Sequence, residues 1–262
     1  MKAKKSFGQH FLNNELITEN IANSLQLISQ YHQVLEVGPG GGMLTKYLLR
    51  GAFDLKVVEA DRDMVRILRQ RFPALEGNII SKDFLKLDLS EVFKNESFGL
   101  IGNFPYNIST QIIFKMLEHK TLIPEMVGMF QKEVAERIVS PPGSKVYGVI
   151  SVLTQAFYEG KYLFTVDRTN FDPPPKVQSG VIQLVRKANL ELGCDEKLFR
   201  RVVKQAFSQR RKMLRNTMKA FFKKENTNAS ELLQNDFFRQ RPEKLSVEDY
   251  VQLVNWVAEF GA

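Results

Sequence analysis

The tetrapeptide Asn103-Phe104-Pro105-Tyr106 brings an amide, a rigid carbonyl and an aromatic ring together after the apolar run 98–102. These groups suit a flat base with an exocyclic amine, whose lone pair is delocalised into the ring and makes the nitrogen a poor nucleophile. The Asn103 side-chain oxygen can accept one amine hydrogen, and a carbonyl held by the locked φ of Pro105 can accept the other. Tyr106 can stack on the base. The alternative is an ordinary turn after a strand, since Asn and Pro are common turn residues.

Short apolar runs alternate with amphipathic stretches between Val34 and Lys187, a pattern typical of strands and helices around a largely parallel sheet. The predicted strands are 34–37, 55–59, 78–81, 100–103, 126–130, 162–166 and 180–185. The predicted helices are 42–50, 63–71, 110–118 and 132–139. Seven strands favour a doubly wound α/β sheet whose last two strands form an edge hairpin, joined through the loop Pro173-Pro174-Pro175.

The pattern changes after Lys187, where amphipathic helical stretches follow without a convincing strand. We therefore predict two domains, a larger one over 1–187 and a smaller all-helical one over 188–262. The last helix has a clear start signal, because Ser246 can serve as the N-cap with Asp249 three residues later.

Composition limits the classes of function. The 262 residues, 44% of them apolar, are enough for one large core and a small second domain. A formal charge of +8 and a pI near 9.4 indicate a polyanionic partner such as nucleic acid. Cys194 is the only cysteine, which excludes an internal disulfide, and none of the three histidines (His10, His32, His119) has metal-ligand spacing. We expect no protein-bound metal, no membrane span and a cytoplasmic location.

A second candidate site is the strand 34–37, which runs into the glycine-rich turn 38–42. Glycines let the backbone approach a ligand at the carboxyl end of a strand, where doubly wound sheets bind ligands. Glu59 closes the next apolar run, about 20 residues on, where an acid can accept both hydroxyls of a ribose. Asp83 follows the third run and could meet an adenine amino group. Each carboxylate alone is more often a loop residue or helix cap, but three successive strand ends together indicate a nucleoside cofactor.

A basic segment lies in the predicted helical domain. From Lys197 to Lys224 there are eleven Lys or Arg residues and no Asp or Glu, whereas a solvated face normally mixes both signs. Phe207, Leu214 and Phe221 recur every seven residues and predict an inward stripe that leaves the basic side chains free to meet phosphates. The candidate RNA contacts are Arg210, Arg211, Lys212, Arg215 and Lys219, and Lys2, Lys4 and Lys5 extend the basic surface.

The glycine-rich turn, Glu59, Asp83 and the tetrapeptide together resemble the S-adenosylmethionine-dependent adenine methyltransferases of ribosomal RNA. Further segments resemble the KsgA-type branch of that family, the small-subunit adenine dimethyltransferases. These segments are 7–12, 131–134, 144–148, 171–179 and 207–212, and with them the resemblance spans nearly the whole chain.

The resemblance implies a Rossmann-like methyltransferase sheet and S-adenosylmethionine as methyl donor. It further implies transfer to the exocyclic amines of two adjacent adenosines near the 3′ end of small-subunit (16S) ribosomal RNA, giving N6-dimethyladenosines. The implied partner is the small ribosomal subunit, whose biogenesis the enzyme would serve, and we expect the chain to act as a monomer.

The resemblance also assigns residues. The implied cofactor contacts are His10, Leu12, Gly38, Glu59, Asp83 and Asn103, and the implied catalytic residues are Asn103, Pro105, Tyr106 and Phe171. Phe171 is the candidate second ring against the flipped base, and the alternative is a core phenylalanine that anchors the proline loop. Most family members have Asn where this chain has His10 and Leu where it has Phe104. His10 can still hydrogen-bond the methionine end of the cofactor, and at Phe104 only the backbone is required.

Two alternatives remain from the sequence. A macrolide-resistance methyltransferase acts on large-subunit RNA through similar core motifs, but segments 131–133 and 144–148 and the arginine-rich helix favour the small-subunit branch. A ribosome-assembly or transcription factor could keep the fold and bind RNA without catalysis. Intact Asn103, Pro105 and Tyr106 argue against lost activity, although a binding role could coexist with it.

Overall fold

The computed structural model of the chain describes residues 10–222 and 227–261. Its strands are β1 Phe11–Leu12, β2 Gln33–Val37, β3 Asp54–Val58, β4 Ile79–Ile80, β5 Phe98–Asn103, β6 Glu125–Gln131, β7 Tyr158–Val166, β8 Phe171–Asp172 and β9 Ser179–Arg186. Its α-helices are α1 Glu15–Ala22, α2 Thr45–Leu48, α3 Arg62–Arg71, α4 Leu89–Val92, α5 Ser109–Glu118, α6 Lys132–Val139, α7 Val149–Gln155, α8 Glu196–Phe207, α9 Leu214–Met218, α10 Thr227–Leu232 and α11 Val247–Phe260. The 3-10 helices are Ile28–Gln30, Pro73–Leu75, Phe84–Lys86, Arg168–Asn170, Lys219–Phe221, Asp236–Arg239 and Pro242–Lys244.

Seven strands form one sheet in the order β4-β3-β2-β5-β6-β9-β7. The pairs from β4 to β6 are parallel, and β9 joins β6 antiparallel. The predicted doubly wound α/β sheet with its last two strands at one edge is therefore confirmed. The chain order reverses between β2 and β5, and in such sheets a ligand crevice opens at the carboxyl ends of the strands beside that reversal.

Two features of the structure differ from the predicted helices and strands: one helix is shorter, and one pair of short strands was not predicted. The predicted helix 42–50 shrinks to Thr45–Leu48, because the preceding turn contains glycines at positive φ. The two-residue pair β1–β8 is too short to produce a periodic pattern, and its partners lie far apart in the chain, with Leu12 opposite Phe171. Periodicity alone could not predict this pair.

The ring of Phe104, which the chemistry does not require, fills the space above two glycines of neighbouring strands. Phe104 is 1% exposed and lies edge-on to Phe130 at a centroid distance of 5.2 Å. A Cβ placed on Gly128 would lie 2.3 Å from this ring, and one on Gly102 would lie 2.8 Å from it. The absence of side chains at Gly102 and Gly128 therefore leaves room for a phenylalanine at position 104, where a leucine would be smaller.

We expect Gly128→Ala to destabilise the protein by about 1 to 3 kcal/mol, because the added methyl overpacks a filled core. The free energy of unfolding from urea titration measures this cost. Phe104→Leu in the same chain should recover part of it, since the shorter side chain vacates the space that the methyl needs. Equal destabilisation of Gly128→Ala with and without Phe104→Leu would contradict the packing argument.

Contacts divide the chain into two compact units. The first unit comprises the chain up to Glu136 together with Glu159–Arg186, and the second comprises Arg137–Tyr158 together with the chain from Lys187 onward. One crossing lies between Arg186 and Lys187, next to the boundary predicted after Lys187, and the segment 137–158 also belongs to the second unit. It lies in sequence between strands of the sheet, yet its helix α7 packs on α8.

The second unit has its own core, formed largely between α8 and α11. Phe199 and Tyr250 are buried there, and the ring centroids of Phe207 and Tyr250 are 6.2 Å apart. The predicted cap of the last helix is confirmed, since Ser246 Oγ accepts from Asp249 N at 3.1 Å and Asp249 Oδ2 accepts from Ser246 N at 2.9 Å. Within the described residues, no helix is both long and apolar enough to cross a membrane.

The prediction that Phe207, Leu214 and Phe221 form an inward stripe is wrong for a single helix. Phe207 ends α8, Leu214 begins α9, and Phe221 lies in a 3-10 helix. The physical reason is the turn 208–213, which interrupts the helix before the second of the three positions. Leu214 is nevertheless buried, whereas the two phenylalanines are half-buried.

Candidate active site

A cavity of about 460 Å³ opens in the first unit at the carboxyl ends of β2, β3 and β5. Its wall consists of segments 10–12, 36–41, 43–44, 58–60, 82–84 and 103–108, together with Ile21 and Arg71. Every residue predicted to contact the cofactor lies in this wall, and so do Pro105 and Tyr106. The carboxyl ends of neighbouring sheet strands therefore bring stretches that are far apart in sequence around one space beside the reversal of strand order.

The glycine-rich turn supplies backbone that other residues adopt poorly. Gly38 has φ 70° and Gly40 has φ 54°, in the left-handed region. A Cβ on Gly40 would also lie 2.9 Å from the ring of Phe11. Arg71 donates from Nη1 to the Gly41 carbonyl at 2.7 Å and holds the turn from the cavity rim. The turn thus exposes backbone to the cavity without side chains in the way.

Glu59 is a buried acceptor beside this turn. It is 7% exposed, its Oε2 accepts from Gly40 N at 3.1 Å, and its Oε1 accepts from Asp61 N at 2.8 Å. Burial raises the pKa of Glu59, and the backbone hydrogen bonds oppose that shift. Each carboxylate oxygen keeps a lone pair beyond its backbone contact, so the two together can accept two neighbouring hydroxyls.

Glu36 is a cavity residue that sequence reasoning missed. It is 1% exposed, and Thr45 Oγ1 donates to its Oε2 at 2.6 Å. Burial raises the pKa of Glu36 to about 8, so the side chain is mostly protonated at neutral pH. The available signal was a carboxylate inside an otherwise apolar strand, immediately before the glycine-rich turn.

Asp83 is both a helix cap and a residue of the cavity wall, so the two alternatives predicted for this carboxylate are compatible. Its Oδ1 accepts from Leu85 N at 2.9 Å at the start of the 3-10 helix Phe84–Lys86, and the residue lines the cavity. The second carboxylate oxygen remains available as an acceptor after the end of β4.

A backbone contact orients the amide of Asn103. Its Nδ2 donates to the His10 carbonyl at 3.1 Å, and a carbonyl can only accept. The contact therefore places nitrogen on the His10 side and leaves Oδ1 as the acceptor at the cavity wall. Among the described residues, no donor bonds to Oδ1.

Tyr106 is anchored from two sides. Its hydroxyl and that of the fully buried Ser179 hydrogen-bond at 2.6 Å, and the His10 ring lies 5.4 Å from the tyrosine ring between centroids. His10 Nδ1 donates to the Pro173 carbonyl at 2.8 Å. Sequence reasoning assigned His10 to the cofactor, and the structure adds that it packs against the tyrosine and bonds to the amide of the tetrapeptide. Ser179 closes a motif segment to which sequence reasoning gave no role.

Phe171 does not lie in the cavity wall. It is 3% exposed, belongs to the hydrophobic core of the first unit and stands opposite Leu12 in the β1–β8 pair. This burial agrees with the alternative prediction, a core phenylalanine at the start of the proline loop. The stacking role predicted for it has no support in this geometry.

A family model described as "Ribosomal RNA adenine dimethylase" matches residues 1–259. The chain belongs to this family. A relative from Flavobacterium johnsoniae named "Ribosomal RNA small subunit methyltransferase A" is 52% identical over 262 residues, which is 100% of this chain and 98% of that protein. A protein of the same name from Bacteroides thetaiotaomicron is 51% identical and covers 99% and 95% of the two chains.

Solved structures agree with the fold of this dimethylase. A dimethyladenosine transferase from Plasmodium falciparum superposes with a TM-score of 0.80 at 25% identity, over 95% of this chain and 98% of that one. The 23S rRNA methyltransferase ErmE superposes with a TM-score of 0.70 at 24% identity, over 95% and 99% of the chains, and this likeness shows the fold alone.

The dimethylase uses S-adenosylmethionine, and the cavity residues fit that cosubstrate. Glu59 would accept from the ribose hydroxyls with its two buried oxygens, Asp83 would accept from the adenine amino group, and Gly38 and Gly40 leave the space beside the turn open. When bound, the cosubstrate supplies an electrophilic methyl group on a sulfonium. Within the described part of the chain, no group of three or more His, Cys, Asp or Glu side chains could hold a metal ion.

We expect cosubstrate affinity to fall as the pH is lowered, because only the carboxylate form of Glu59 offers acceptors to both hydroxyls. Burial raises the pKa of Glu59, so the loss should begin at a higher pH than for an ordinary glutamate. Calorimetric titration with S-adenosylhomocysteine between about pH 5 and about pH 8 measures it. Glu59→Gln should bind weakly with a flatter profile. Identical profiles for both proteins would contradict the assignment.

The basic residues predicted to bind RNA are not equivalent in the second unit. Arg211, Lys212 and Arg215 are exposed. Arg210 is half-buried, and its Nη2 donates to the Lys145 carbonyl and, at 3.4 Å, to the Ser144 carbonyl. The expectation that Arg210 is free to meet phosphates is therefore wrong for this nitrogen, which holds the segment 144–148 instead. Lys2, Lys4, Lys5, Lys223 and Lys224 lie outside the described residues.

Proposed function

We propose that this dimethylase transfers methyl groups from S-adenosylmethionine to the exocyclic amines of two adjacent adenosines in small-subunit ribosomal RNA, giving N6-dimethyladenosines. The observation that carries the proposal is the oriented amide of Asn103, whose Nδ2 is held by the His10 carbonyl and whose Oδ1 is left for an amine hydrogen. Relatives that are 52% and 51% identical over nearly the full length are named as small-subunit methyltransferases, which supports small-subunit RNA as the substrate.

The chain contributes mainly alignment. A sulfonium methyl is already a good electrophile, so the enzyme must hold nitrogen and methyl in line more than it must supply a strong base. Asn103 Oδ1 accepts one amine hydrogen, and the Phe104 carbonyl beside the rigid Pro105 is the candidate for the other. Phe104 N donates to the Met129 carbonyl at 3.2 Å, which ties this backbone to β6. Tyr106 offers the ring on which the base stacks, with its hydroxyl fixed by Ser179.

Dimethylation sets a further requirement on the same site. After the first transfer the nitrogen has one hydrogen left, so the base must be held with one hydrogen bond fewer. Asn103 keeps its orientation through that change, because its contact to His10 is made by Nδ2 and not by Oδ1. The same amide can therefore accept the remaining hydrogen in the second transfer.

We propose that the substrate is the small ribosomal subunit with its 16S RNA. The exposed basic residues of the second unit contact this RNA in the proposed complex. The dimethylase acts there as a monomer in the cytoplasm. The net charge of +8 supports a polyanionic partner.

Labelled S-adenosylmethionine distinguishes the candidate substrates. The protein is incubated with unmodified small subunits, unmodified large subunits and naked ribosomal RNA, and the modified bases are mapped by mass spectrometry. We expect dimethylation of two adjacent adenosines in small-subunit RNA. Methylation confined to the large subunit would instead favour the macrolide-resistance type of activity. Binding of small subunits without any transfer would favour an assembly factor.

A further inference from the structure

Helix α5 carries one lysine into the interior of the first unit. Lys115 is 8% exposed, between the fully buried Ile112 and Met116. A buried ammonium is costly unless its hydrogens find acceptors. Lys115 Nζ donates to the Leu87 carbonyl at 2.5 Å and to the Leu85 carbonyl at 3.0 Å.

The ammonium has a third neighbour in the same short segment. Lys115 Nζ lies 5.3 Å from the ring centre of Phe84, within the range of a cation–π contact. All three contacts thus go to the stretch 84–87, which contains the 3-10 helix Phe84–Lys86. This stretch is about 30 residues away in sequence, so the lysine connects α5 to the loop after β4.

The loop that Lys115 holds forms one end of the cosubstrate cavity. Asp83 and Phe84 lie in the cavity wall, and Asp83 caps the 3-10 helix. The helix is only three residues long, and short 3-10 turns have poor hydrogen-bond geometry. Contacts from outside the turn must therefore contribute to its position, and Lys115 supplies two hydrogen bonds and a ring contact.

Charge supports the same arrangement. The carboxylates of Glu118, Asp83 and Asp88 lie within electrostatic range of the Lys115 ammonium, and they counter the lowering of its pKa by burial.

The geometry points to Lys115 as a positioning residue for the adenine end of the cosubstrate, which fixes Asp83 and Phe84 in the cavity wall. This inference rests on the proposed function and on the contact predicted for Asp83, which would accept a hydrogen from the adenine amino group of the cosubstrate. Lys115 itself does not line the cavity, and it acts through the loop. The alternative is a purely structural lysine that stabilises α5 without affecting what the cavity binds.

Lys115→Met tests the inference, because methionine has a similar length and no donors. We expect the Kd of S-adenosylhomocysteine, measured by calorimetry, to rise about tenfold, as the loss of a hydrogen-bonded charge predicts. The matched control is Lys86→Met, the exposed lysine of the same 3-10 helix, which should bind like the wild type. Affinity for small-subunit RNA should be unchanged in both variants.

A second ligand separates positioning from stability. S-inosylhomocysteine carries an exocyclic carbonyl oxygen at C6 in place of the adenine amino group, so that position presents an acceptor to Asp83 where the adenosyl compound presents a donor. The wild type should prefer the adenosyl compound, and Lys115→Met should lose most of that preference, whereas a purely structural lysine would lower Tm without changing the ratio. Lys115→Gln keeps an amide donor group without the charge, so its preference for the adenosyl compound should lie between those of the wild type and Lys115→Met. This variant replaces Lys115→Met in the test if the methionine variant does not fold.

Wild-type affinity and wild-type preference in a folded Lys115 variant would overturn the inference. A wild-type protein that bound neither compound would instead overturn the proposed function, so the two failures are distinguishable.

Discussion

Replacing Asn103 with alanine is expected to slow methyl transfer by about 10²- to 10³-fold, which is typical when a preorganised hydrogen bond at a reacting centre is removed. The expectation follows from the amide geometry, because Nδ2 donates to the His10 carbonyl and leaves Oδ1 for the substrate amine. Without Oδ1 the amine hydrogens are not held, and the nitrogen loses its alignment with the methyl group. The main chain of the tetrapeptide should keep its position, since Phe104 N bonds to the Met129 carbonyl.

Single-turnover methylation of unmodified small subunits measures this rate, and thermal unfolding monitors the fold. Asn103→Asp adds a test of orientation, because a carboxylate cannot donate to the His10 carbonyl, and we expect it to be slow as well. The matched control is Asn20→Ala on the exposed side of α1, which should transfer at the wild-type rate. Near-normal transfer by Asn103→Ala would remove this residue from the mechanism.

Replacing Arg211, Lys212 and Arg215 together with alanine is expected to weaken RNA binding and flatten its salt dependence. If each side chain neutralises one phosphate, the slope of log K against log salt should become less steep by about 2 to 3. We omit Arg210 from this set, because its guanidinium bonds to the carbonyls of the segment 144–148 and its loss would alter that segment as well.

Filter binding to small-subunit RNA over a salt series measures the slope. The control replaces Arg62, Arg66 and Arg69 on the exposed face of α3 and removes the same formal charge from the first unit. If net charge alone attracts the RNA, both triple variants should behave alike. If the basic residues of the second unit contact phosphates, only the variant that lacks them should show a less steep slope of log K against log salt. Unchanged binding by both would reject the phosphate-contact prediction.

The positions of the strands and the place of the cavity could be predicted from the sequence. Buried parallel strands are continuous apolar runs with definite ends, and the carboxyl ends of such strands meet at one edge of a sheet. Glu59, Asp83 and Asn103 each end or follow such a run, so their convergence required only the topology. The cap of the last helix was similarly local, because Ser246 and Asp249 are three residues apart.

Contacts between residues far apart in the chain were decided only by the tertiary structure. Asn103 is oriented by a carbonyl 93 positions away, and Tyr106 is anchored by a hydroxyl 73 positions away. Burial likewise placed Phe171 in the core, and packing directed Arg210 towards the segment 144–148. Local periodicity carries no information about such partners.

The sequence by itself therefore determined the fold class, the strand ends and the residue types available for methyl transfer to an amine. The tertiary structure decided which of those side chains are held by distant partners. It also decided which other residues lie close to them, such as Glu36 in the cavity wall and Lys115 beside the segment 84–87. The physical reason is that secondary structure follows from short-range patterns, whereas hydrogen-bond partners and burial depend on how distant segments pack.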